Sequence, residues 1–528
     1  MTLPVQSALA VSAGYPLPAP VPAIEYRSRG RLLVIGGEAP LASEAVEKLA
    51  PALTITVLHR DAAPSQSGLA LVQGEVIAIA GWLGAFTVTW KSASDEAVQA
   101  GEFDMVLNLT GHSLFTMHQP PQGYFAPAGK VALEQALAEI SDGIGEFEKP
   151  KFFLYNEKTC AHSRSRLDGC NRCVDICSTE AISGAGDRIQ VEPHLCMGCG
   201  ACATVCPSGA MQYNFPSVSY WGNKLKAMLE AYREAGGEDA CVLLHDPAEG
   251  AARVQAAQLP PNVIPFEVFH IASLGLDRLL GAIALGANRV VLLATGREAP
   301  QYAVALREQM VLGEEILGGL GYGQGHFHLL DADALATLAD IPPAIVPRDA
   351  ATFRLFDEKR TTLDFCIEHF VRHAPATVPD EIALSDGAPY GTVEVNGSTC
   401  TLCLSCVSAC PAAALQDGAG TPLLKFVERN CVQCGLCENA CPENAITLRP
   451  RLLLTPAAKQ ARILHEDTPF CCVNCGKPFA TTHMIGSMLH KLSGHSMFAT
   501  PEARRRLQMC GDCRVVDMMG KQVSGAGR

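Results

Sequence analysis

The sequence predicts a multidomain chain in which α/β domains alternate with small, cysteine-rich α+β modules. At 528 residues, with 48% hydrophobic and 18% charged residues, the chain is long enough for several cores. Sixteen of its 23 cysteines fall in four short runs. Elsewhere, two stretches alternate apolar strand patterns with amphipathic helix patterns, which is typical of parallel sheets covered by helices.

The four cysteine runs follow one spacing. Three of them read Cys-x2-Cys-x2-Cys-x3-Cys, and the first has nine residues, AHSRSRLDG, between its first two cysteines. The runs are Cys160/Cys170/Cys173/Cys177, Cys196/Cys199/Cys202/Cys206, Cys400/Cys403/Cys406/Cys410 and Cys431/Cys434/Cys437/Cys441. This spacing is the bacterial ferredoxin signature for 4Fe–4S clusters, because three thiolates of one tight loop reach three iron corners and the fourth comes from elsewhere. The chain is therefore expected to handle electrons.

The runs are read in pairs, because in two-cluster ferredoxins the last cysteine of each run ligates the other cluster. In the first module, the two ligand sets are Cys160, Cys170, Cys173 and Cys206, then Cys196, Cys199, Cys202 and Cys177. In the second module, they are Cys400, Cys403, Cys406 and Cys441, then Cys431, Cys434, Cys437 and Cys410. Disulfides and zinc fit these runs poorly, since no signal peptide is apparent and zinc sites usually join two distant cysteine pairs. The sequence predicts four 4Fe–4S clusters.

Other repeated residues accompany the runs. An alanine and an aliphatic residue follow the last cysteine at the fourth and fifth positions, where the small residue passes close to a cluster and the aliphatic residue starts a short strand. These pairs are Ala181-Ile182, Ala210-Met211, Ala414-Leu415 and Ala445-Ile446. Pro follows the last cysteine at Pro207, Pro411 and Pro442, whereas Ser178 takes that place in the first run. Gly198, Gly200 and Gly435 permit a tight backbone that points N–H groups at the sulfurs.

The nine-residue insertion of the first run leaves two alternatives. It carries Arg164 and Arg166 and could be a loop that touches a redox partner, and His162 could even replace Cys160 as a ligand. The simpler interpretation is a solvated loop with Cys160 still ligating. We take this simpler interpretation as the prediction.

The strand patterns RLLVIGG, LTITVLH, EVIAIAG and FDMVLNLTG predict an α/β, Rossmann-like domain over residues 30–150. Gly36-Gly37 ends the first strand, where glycines let a phosphate approach a helix N-terminus. His59 or Asp61 would then lie near a ribose. The segment lacks the GxGxxG spacing, so a plain tight turn is favoured and a flavin or NAD is weakly supported.

Residues 216–345 predict a second α/β domain with a parallel sheet, from strand patterns such as ACVLLHD and NVIPFEVFH. The phrase AIALGANRVVLLATGRE and the helix after it resemble the delta subunit of methyl-viologen-reducing hydrogenase, a module that passes electrons toward heterodisulfide reductase or formate dehydrogenase. That family carries cysteines for a 2Fe–2S cluster at two places, where this chain has Cys241 and Thr295. The resemblance thus implies a docking role without that cluster, and Cys241 is expected to be a buried strand residue.

Three other segments complete the division of the chain. Residues 1–29, rich in Ala, Pro and Val, are expected to be a flexible lead, and residues 346–390 a helical linker in which Cys366 packs in a core. Residues 451–528 contain two Cys-x2-Cys knuckles, Cys472/Cys475 and Cys510/Cys513, which suit one structural zinc ion. A further iron-sulfur site is the alternative.

Several residues near the knuckles have no assigned ligand role. Cys471 could substitute for Cys472, while His483, His490 and His495 are expected at the surface or facing a partner, since four thiolates complete a zinc site. Arg504-Arg505-Arg506 forms a short basic patch that could dock an acidic partner or simply end a helix.

The chain is acidic and lacks a membrane-spanning pattern. Its formal net charge is −13 at pH 7, and four clusters would add about eight negative charges. Nucleic acid is therefore an unfavourable partner, and basic patches of redox proteins are favourable ones. No run of about eighteen uncharged apolar residues occurs, so no membrane insertion is expected. The cytoplasm is the expected location, because thiolates stay reduced there.

The predicted fold class is multidomain α/β plus two α+β bacterial ferredoxin-like modules, residues 151–215 and 391–450, and a small zinc ribbon-like C-terminal region. The leading hypothesis is an electron carrier that relays single electrons between redox enzymes. The order of domains resembles proteins found beside bacterial formate dehydrogenases, which implies formate dehydrogenase or another ferredoxin-linked oxidoreductase as partner. The alternatives are an assembly or scaffold factor for a formate dehydrogenase and a flavin- or NAD-dependent oxidoreductase subunit.

Overall fold

The N-terminal segment is a packed helix rather than a flexible lead. The computed structural model describes residues 2–36, 45–60, 70–94 and 96–524. Helix α1 (Leu3–Gly14) places Val5, Ala8 and Leu9 against the core of the second α/β domain, and Val5 and Ala8 are buried there. These residues share one helix face because they are three and four positions apart. The expectation of a flexible lead is therefore wrong for residues 3–14, because their apolar face packs against this core.

The first domain is an α/β unit with a seven-stranded sheet. The strands of the sheet are β2 (Arg31–Ile35), β3 (Thr54–His59), β4 (Ala70–Ala80), β5 (Phe86–Ser92), β6 (Val98–Phe103), β7 (Met105–Asn108) and β8 (Tyr124–Phe125). The domain also contains strands β1 (Ala23–Ser28) and β9 (Gly145–Pro150) and helices α2 (residues 45–49) and α3 (Lys130–Asp142). The strand order is β6-β5-β4-β3-β2-β7-β8, parallel from β4 to β8 and antiparallel at the β5–β6 edge. β1 and β9 form a separate antiparallel pair. The four predicted strand patterns all form strands of this sheet.

The first cysteine-rich module is small and built from short strands. It contains β10 (Phe153–Tyr155), β11 (Ser163–Arg164), β12 (Leu167–Asp168), α4 (Arg172–Asp175), β13 (Ile182–Ala185), β14 (Arg188–Val191), α5 (Ala201–Val205) and β15 (Met211–Tyr213). β10 pairs with β15, and β13 pairs with β14, both antiparallel. The β10–β15 pair joins the beginning of the module to its end, and the β13–β14 hairpin connects the two cysteine runs.

The second α/β domain has the predicted parallel sheet. Its elements are α6 (Val218–Glu234), β16 (Cys241–His245), α7 (Glu249–Ala256), β17 (Val263–Glu267), α8 (Leu276–Ala284), β18 (Arg289–Ala294), α9 (Pro300–Gly319) and β19 (Phe327–Asp331). The strand order is β17-β16-β18-β19, all parallel. Core residues cover both faces of this sheet, so its central strands β16 and β18 are apolar apart from the buried His245 and Arg289. Cys241 is buried in β16, as expected.

The segment expected to be a linker belongs to the core of the second α/β domain. α10 (Lys359–Arg372) buries Leu363, Cys366 and Phe370 in the same apolar cluster as α8. Cys366 is therefore a core residue, as predicted. β20 (Glu381–Ala383) then pairs with a strand of the second cysteine-rich module. Residues 346–390, all of which the structure describes, are consequently packed against both the second α/β domain and the second cysteine-rich module.

The second module and the C-terminal region follow. The module contains β21 (Gly391–Val395), α11 (Ser405–Ala409), β22 (Leu415–Gly418), β23 (Thr421–Val427), α12 (Leu436–Asn439), β24 (Ile446–Leu453) and β25 (Ala461–Glu466). The C-terminal region contains β26 (Pro469–Cys471), β27 (Pro478–Thr481), α13 (Thr482–Leu492), α14 (Pro501–Leu507) and α15 (Gly511–Ser524). β25 adds a third strand beside β23, so the module continues past residue 450. Within the described ranges, no helix has both the length and the apolar character needed to cross a bilayer.

Candidate metal centres

The cysteines of the first module form two groups of four, each drawn from both runs. Burial raises the pKa of the Cys173 thiol, and Cys206, Cys170 and Cys160 raise it further. Burial likewise raises the pKa of Cys202 well above its ordinary value, followed by the effects of Cys199, Cys196 and Cys177. We call the second group site 1 (Cys196, Cys199, Cys202, Cys177) and the first group site 2 (Cys160, Cys170, Cys173, Cys206). These are the sets that the spacing pairs, and ligation by each set stays a prediction.

The second module repeats this arrangement. Burial raises the pKa of Cys437, and Cys431, Cys434 and Cys410 add to the effect. Burial raises the pKa of Cys406 to about 12, with contributions from Cys403, Cys400 and Cys441. We call these groups site 3 (Cys431, Cys434, Cys437, Cys410) and site 4 (Cys400, Cys403, Cys406, Cys441).

The backbone within and directly after the cysteine runs turns N–H groups toward the sulfurs. Gly198, Gly200 and Gly435 all have positive φ, near +80°, as the tight loop requires. The N–H groups of Met211 and Ala445 donate to the sulfurs of Cys206 and Cys441, at 3.4 and 3.2 Å. The predicted aliphatic positions, Ile182, Met211, Leu415 and Ile446, are each the first residue of a strand, namely β13, β15, β22 and β24. The prediction that these residues start short strands is confirmed.

The four sites fit 4Fe–4S clusters by the chemistry of their donors. Each site gathers four thiols in a largely apolar surrounding, and their mutual repulsion as thiolates contributes to raising the pKa values. A cationic iron core removes that repulsion, because metal ligation deprotonates thiols. Backbone N–H groups aimed at sulfur are also the donors that surround such clusters.

Comparison with known proteins identifies both modules. Residues 168–210 and residues 399–446 each match the family described as 4Fe-4S dicluster domain. The chain carries two 4Fe–4S dicluster domains. We therefore call the two cysteine-rich modules the first and the second dicluster domain. Cys160 lies outside the matched residues of the first domain, so its role rests on the geometry of site 2.

Curated relatives match over short segments only. The chain is 49% identical over 39 residues to hydrogenase-4 component A of Escherichia coli, 31% over 64 residues to a ferredoxin of Saccharopolyspora erythraea, and 33% over 85 residues to a probable iron-sulfur protein of the Frd operon in Proteus vulgaris. These segments cover 7%, 12% and 16% of this chain and 19%, 60% and 51% of the respective relatives. Among solved structures, a Lactococcus lactis thioredoxin reductase overlaps 22% of this chain and 52% of its own, at 14% identity and a TM-score of 0.14, which is too low to assign a fold.

The insertion of the first dicluster domain is a β-hairpin that contacts the second domain. Ser165 and Arg166 form its two-residue turn with positive φ, which suits a tight hairpin. Leu436 of α12 is fully buried beside the hairpin, and a Cβ at Gly169 would lie 2.8 Å from its Cγ. The Asn439 side chain donates to the carbonyl oxygen of Asp168 at 2.8 Å. The tip of the expected loop, Ser165 and Arg166, is exposed to solvent, whereas its end at Asp168 and Gly169 contacts the second dicluster domain.

His162 binds a backbone group near site 2. Its Nδ1 lies 3.3 Å from the carbonyl oxygen of Cys170. Cys160 itself is buried and acts on the pKa of Cys170 and Cys173, so it belongs to the group of four thiols. The geometry supports Cys160 rather than His162 as the fourth member of site 2.

Two adjacent residues of α10 join both dicluster domains to the second α/β domain. The partly buried Lys359 ammonium donates to the carbonyl oxygens of Ala203, Thr204 and Cys206 at 2.7, 2.7 and 3.2 Å. The Arg360 guanidinium instead donates to the carbonyl oxygens of Arg429, Cys431 and Pro389. Sequence reasoning missed both residues. Their only sequence signal is a Lys-Arg pair at the start of an amphipathic helix, which is common.

A tyrosine of the second α/β domain reaches site 1. The Tyr302 hydroxyl, on α9, donates to the Cys199 sulfur at 3.1 Å and is hydrogen bonded to the Ser178 hydroxyl. Ser178 is the residue that stands in place of proline after the last cysteine of the first run. Tyr302 was also missed, although the departure at Ser178 marked the position that it contacts.

The C-terminal knuckles bring their four thiols together. The sulfurs of Cys472, Cys475, Cys510 and Cys513 all lie within 4.8 Å of one another, which is compatible with tetrahedral zinc. Burial raises the pKa of Cys472, but hydrogen bonds from backbone N–H groups, led by Cys510, Cys475 and Asn474, lower it to about 6. Cys471 is exposed and outside this group.

The C-terminal region rests on site 4. The Thr481 hydroxyl donates to the Thr401 carbonyl oxygen at 3.0 Å, and Nδ1 of His483 lies 3.0 Å from the carbonyl oxygen of Cys400. His483 is thus partly buried in an internal contact, which corrects its expected surface role. His490 and His495 are exposed.

The other candidates show no ligand-binding arrangement among the described residues. In the basic patch, Arg506 pairs with Asp517 at 2.6 Å, while Arg504 and Arg505 lie at the end of α14. For the candidate nucleotide turn, Gly37 and Asp61 lie outside the described residues. A Cβ at Gly36 would lie 2.7 Å from the Thr110 side chain, so close packing explains this glycine.

Proposed function

We propose that this protein relays single electrons through four 4Fe–4S clusters held at sites 1, 2, 3 and 4. A 4Fe–4S cluster supplies one-electron chemistry when bound. The residues around it supply burial, N–H donors and docking surfaces, which set its potential and its partners. One observation carries the proposal: thiols of each site raise the pKa of a thiol in the next, and the two dicluster domains share an apolar cluster at Cys170 and Cys434.

Three electrostatic contacts link consecutive sites. Cys173 of site 2 contributes to the raised pKa of Cys202 in site 1, and Cys406 of site 4 contributes to that of Cys437 in site 3. The link between the domains is Cys434 of site 3. Burial raises its pKa to about 11, and two cysteines of the same site, Cys431 and Cys410, raise it further. Cys170, which belongs to site 2, also raises it. Cys170 and Cys434 pack in one apolar cluster with the buried Ala161, Ala409 and Leu436. These contacts support the order site 1, site 2, site 3, site 4.

The two ends of this series differ in access. At site 1, Tyr302 and its neighbours on the second α/β domain cover Cys199. At site 4, Cys403 is exposed. We propose that a redox protein docks beside site 4.

Formate dehydrogenase is the electron source that we propose, because the order of the domains is similar to that of proteins found beside bacterial formate dehydrogenases. The names of the matched relatives, a hydrogenase component and an iron-sulfur protein of the Frd operon, support a place among multi-subunit redox systems. The net charge of −13 favours a partner with a basic docking patch in the cytoplasm.

Zinc at Cys472, Cys475, Cys510 and Cys513 would have a structural role. Four thiolates complete a tetrahedral site and leave no open position for substrate. The region that it would hold contacts Cys400 and Thr401 of the second dicluster domain.

Metal analysis of anaerobically purified protein tests the proposal. We expect about sixteen iron atoms, four for each site, one zinc and no flavin. In the fully reduced protein, electron paramagnetic resonance should show spin coupling between sites 2 and 3. About twelve iron atoms or fewer, or four magnetically isolated clusters, would contradict the relay.

A further inference from the structure

A cavity of about 200 Å³ lies where the second α/β domain meets the first dicluster domain. It is lined by Pro247, which follows β16, and by Val268 and Phe269, which follow β17. The cavity therefore lies beyond the carboxyl ends of two parallel strands. This edge is where open parallel sheets bind their ligands.

The walls of the cavity are mainly aromatic. Tyr213, Trp221, Phe266 and Phe269 all line it, and the rings of Trp221 and Phe266 lie 5.8 Å apart at an angle of 61°. Aromatic walls with few polar groups are typical of sites for flat ring ligands.

The guanidinium of Arg278 lines this cavity and has no carboxylate as an ion-pair partner within the described residues. Arg278 is 2% exposed, with its guanidinium 5.2 Å from the ring centre of Tyr213 and 5.7 Å from that of Trp221. Its hydrogen bonds go to neutral oxygens only, the Ser273 hydroxyl at 3.1 Å and the Pro216 carbonyl at 3.4 Å. Among the residues that the structure describes, no carboxylate forms an ion pair with it.

The remaining charged residues of the lining are Lys224 and Glu267. The Lys224 ammonium lies 5.5 Å from the ring centre of Phe266, and Glu267 acts on it electrostatically. The carboxylates of Asp277 and Asp357 raise the pKa of Arg278 electrostatically, but neither residue lines the cavity. The lining therefore carries one net positive charge.

One buried donor in the wall lacks an acceptor. Trp221 is 2% exposed, and its Nε1 has no hydrogen-bond partner within the described part of the chain. Buried donors are nearly always paired in native proteins, and an oxygen of a bound molecule would pair this N–H if the indole turned toward the cavity.

We propose that this cavity binds a planar aromatic anion, a flat ring system that carries a sulfonate, carboxylate or phosphate group. The ring would lie among Tyr213, Trp221 and Phe266, and the anionic group would contact Arg278 and Lys224. The site adjoins site 1, because the Tyr213 hydroxyl donates to the Gly198 carbonyl oxygen at 2.9 Å. The proposal goes beyond the electron relay and does not depend on it, since binding requires no cluster reduction.

Calorimetric titration of the full-length protein with naphthalene-2-sulfonate, under anaerobic conditions, tests this site. The matched neutral ligand is naphthalene-2-sulfonamide, which has the same ring and nearly the same size. We expect saturable binding of the sulfonate at one site per chain and binding of the sulfonamide that is about tenfold weaker, because the charge contacts are lost. Absence of saturable binding, or equal affinity for the two ligands, would overturn the proposal.

Variants locate the binding within the cavity. Arg278→Met removes the buried charge but also endangers folding, so Lys224→Met is the decisive variant. We expect Lys224→Met to weaken the sulfonate about tenfold and to leave the sulfonamide unchanged. Lys226→Met is the control, because Lys226 lies on the same helix and binds the Thr352 carbonyl oxygen outside the cavity. If Lys226→Met weakened sulfonate binding as much as Lys224→Met, the cavity would not be the site.

Discussion

The two dicluster domains share one cysteine pattern but have different surroundings. The first domain is held by the second α/β domain, through Tyr302 at site 1 and Lys359 near site 2. The second domain leaves Cys403 exposed and instead carries an added strand, β25, and the C-terminal cysteine region. The cysteine spacing therefore predicts the cluster type, while the neighbours of each domain decide which end is covered.

The places where the first domain departs from the shared pattern are the places where it contacts other domains. Its nine-residue insertion contacts Leu436 and Asn439 of the second domain. Its serine in place of proline, Ser178, contacts Tyr302 of the α/β domain. A departure from a repeated motif thus indicates an internal contact here, not a loss of the metal site.

The largest expected effect concerns the C-terminal region and its contact with the second dicluster domain. Cys472→Ser should prevent binding of the proposed zinc and unfold this region, because apparent zinc-binding energies in zinc-finger peptides are about 10–16 kcal/mol at pH 7. Site 4 should then lose iron faster than site 1, since Thr481 and His483 no longer contact the loop of Cys400. Zinc content and hydrogen exchange across β26 and β27 measure both effects.

Cys471→Ser is the matched control, because Cys471 is the adjacent exposed thiol outside the group of four. It should keep its zinc and its exchange protection. Equal zinc loss in both variants, or iron in place of zinc in the wild type, would contradict the structural zinc site.

The next effect concerns the contact between the dicluster domains. Leu436→Ala should destabilise the protein by about 2–5 kcal/mol, because Leu436 is fully buried beside the hairpin. It should also weaken the spin coupling between sites 2 and 3, measured in the fully reduced protein. Leu424→Ala, in β23 of the second domain, removes the same volume from a core away from this contact.

Leu424→Ala should lower stability to a similar extent and leave the coupling unchanged. Loss of coupling in both variants would show that the second domain, and not its contact with the hairpin, controls the approach of sites 2 and 3.

The paired residues of α10 allow the two domains to be disturbed separately. Lys359→Met should cost about 1.5–3 kcal/mol and speed iron loss from the first domain, because three carbonyl oxygens lose a charged donor. Arg360→Met should speed iron loss from the second domain instead, since Arg360 binds the carbonyl oxygens of Arg429 and Cys431. Chelator challenge followed by electron paramagnetic resonance distinguishes the sites. The same site losing iron first in both variants would refute this division.

The strands and the grouping of the cysteines could be predicted from the sequence, but the contacts between domains could not. The fixed offset from each last cysteine to a strand-starting aliphatic residue is local, so Ile182 and Ile446 were predictable. The parallel sheet of the second α/β domain was predictable from alternating apolar patterns. By contrast, α1 and α10 pack through ordinary amphipathic faces, and such faces do not reveal which core they will join. Lys359 and Tyr302 act at a distance of more than 100 residues in the chain, where spacing carries no information.

The smallest expected effect tests the cover of site 1. Tyr302→Phe should lower the reduction potential of the cluster at site 1 by about 20–65 mV, because a hydrogen bond worth about 0.5–1.5 kcal/mol to a cluster sulfur favours the reduced form. Site 4 should keep its potential, since the Tyr302 hydroxyl bonds to Cys199 and Ser178, both at site 1. The control is Tyr322→Phe, which removes a comparable buried hydrogen bond to the Phe370 carbonyl oxygen in the same domain. A redox titration followed by electron paramagnetic resonance measures the potentials. Equal shifts in the two variants would mean that domain stability, and not the hydroxyl group at the Cys199 sulfur, sets the potential of site 1.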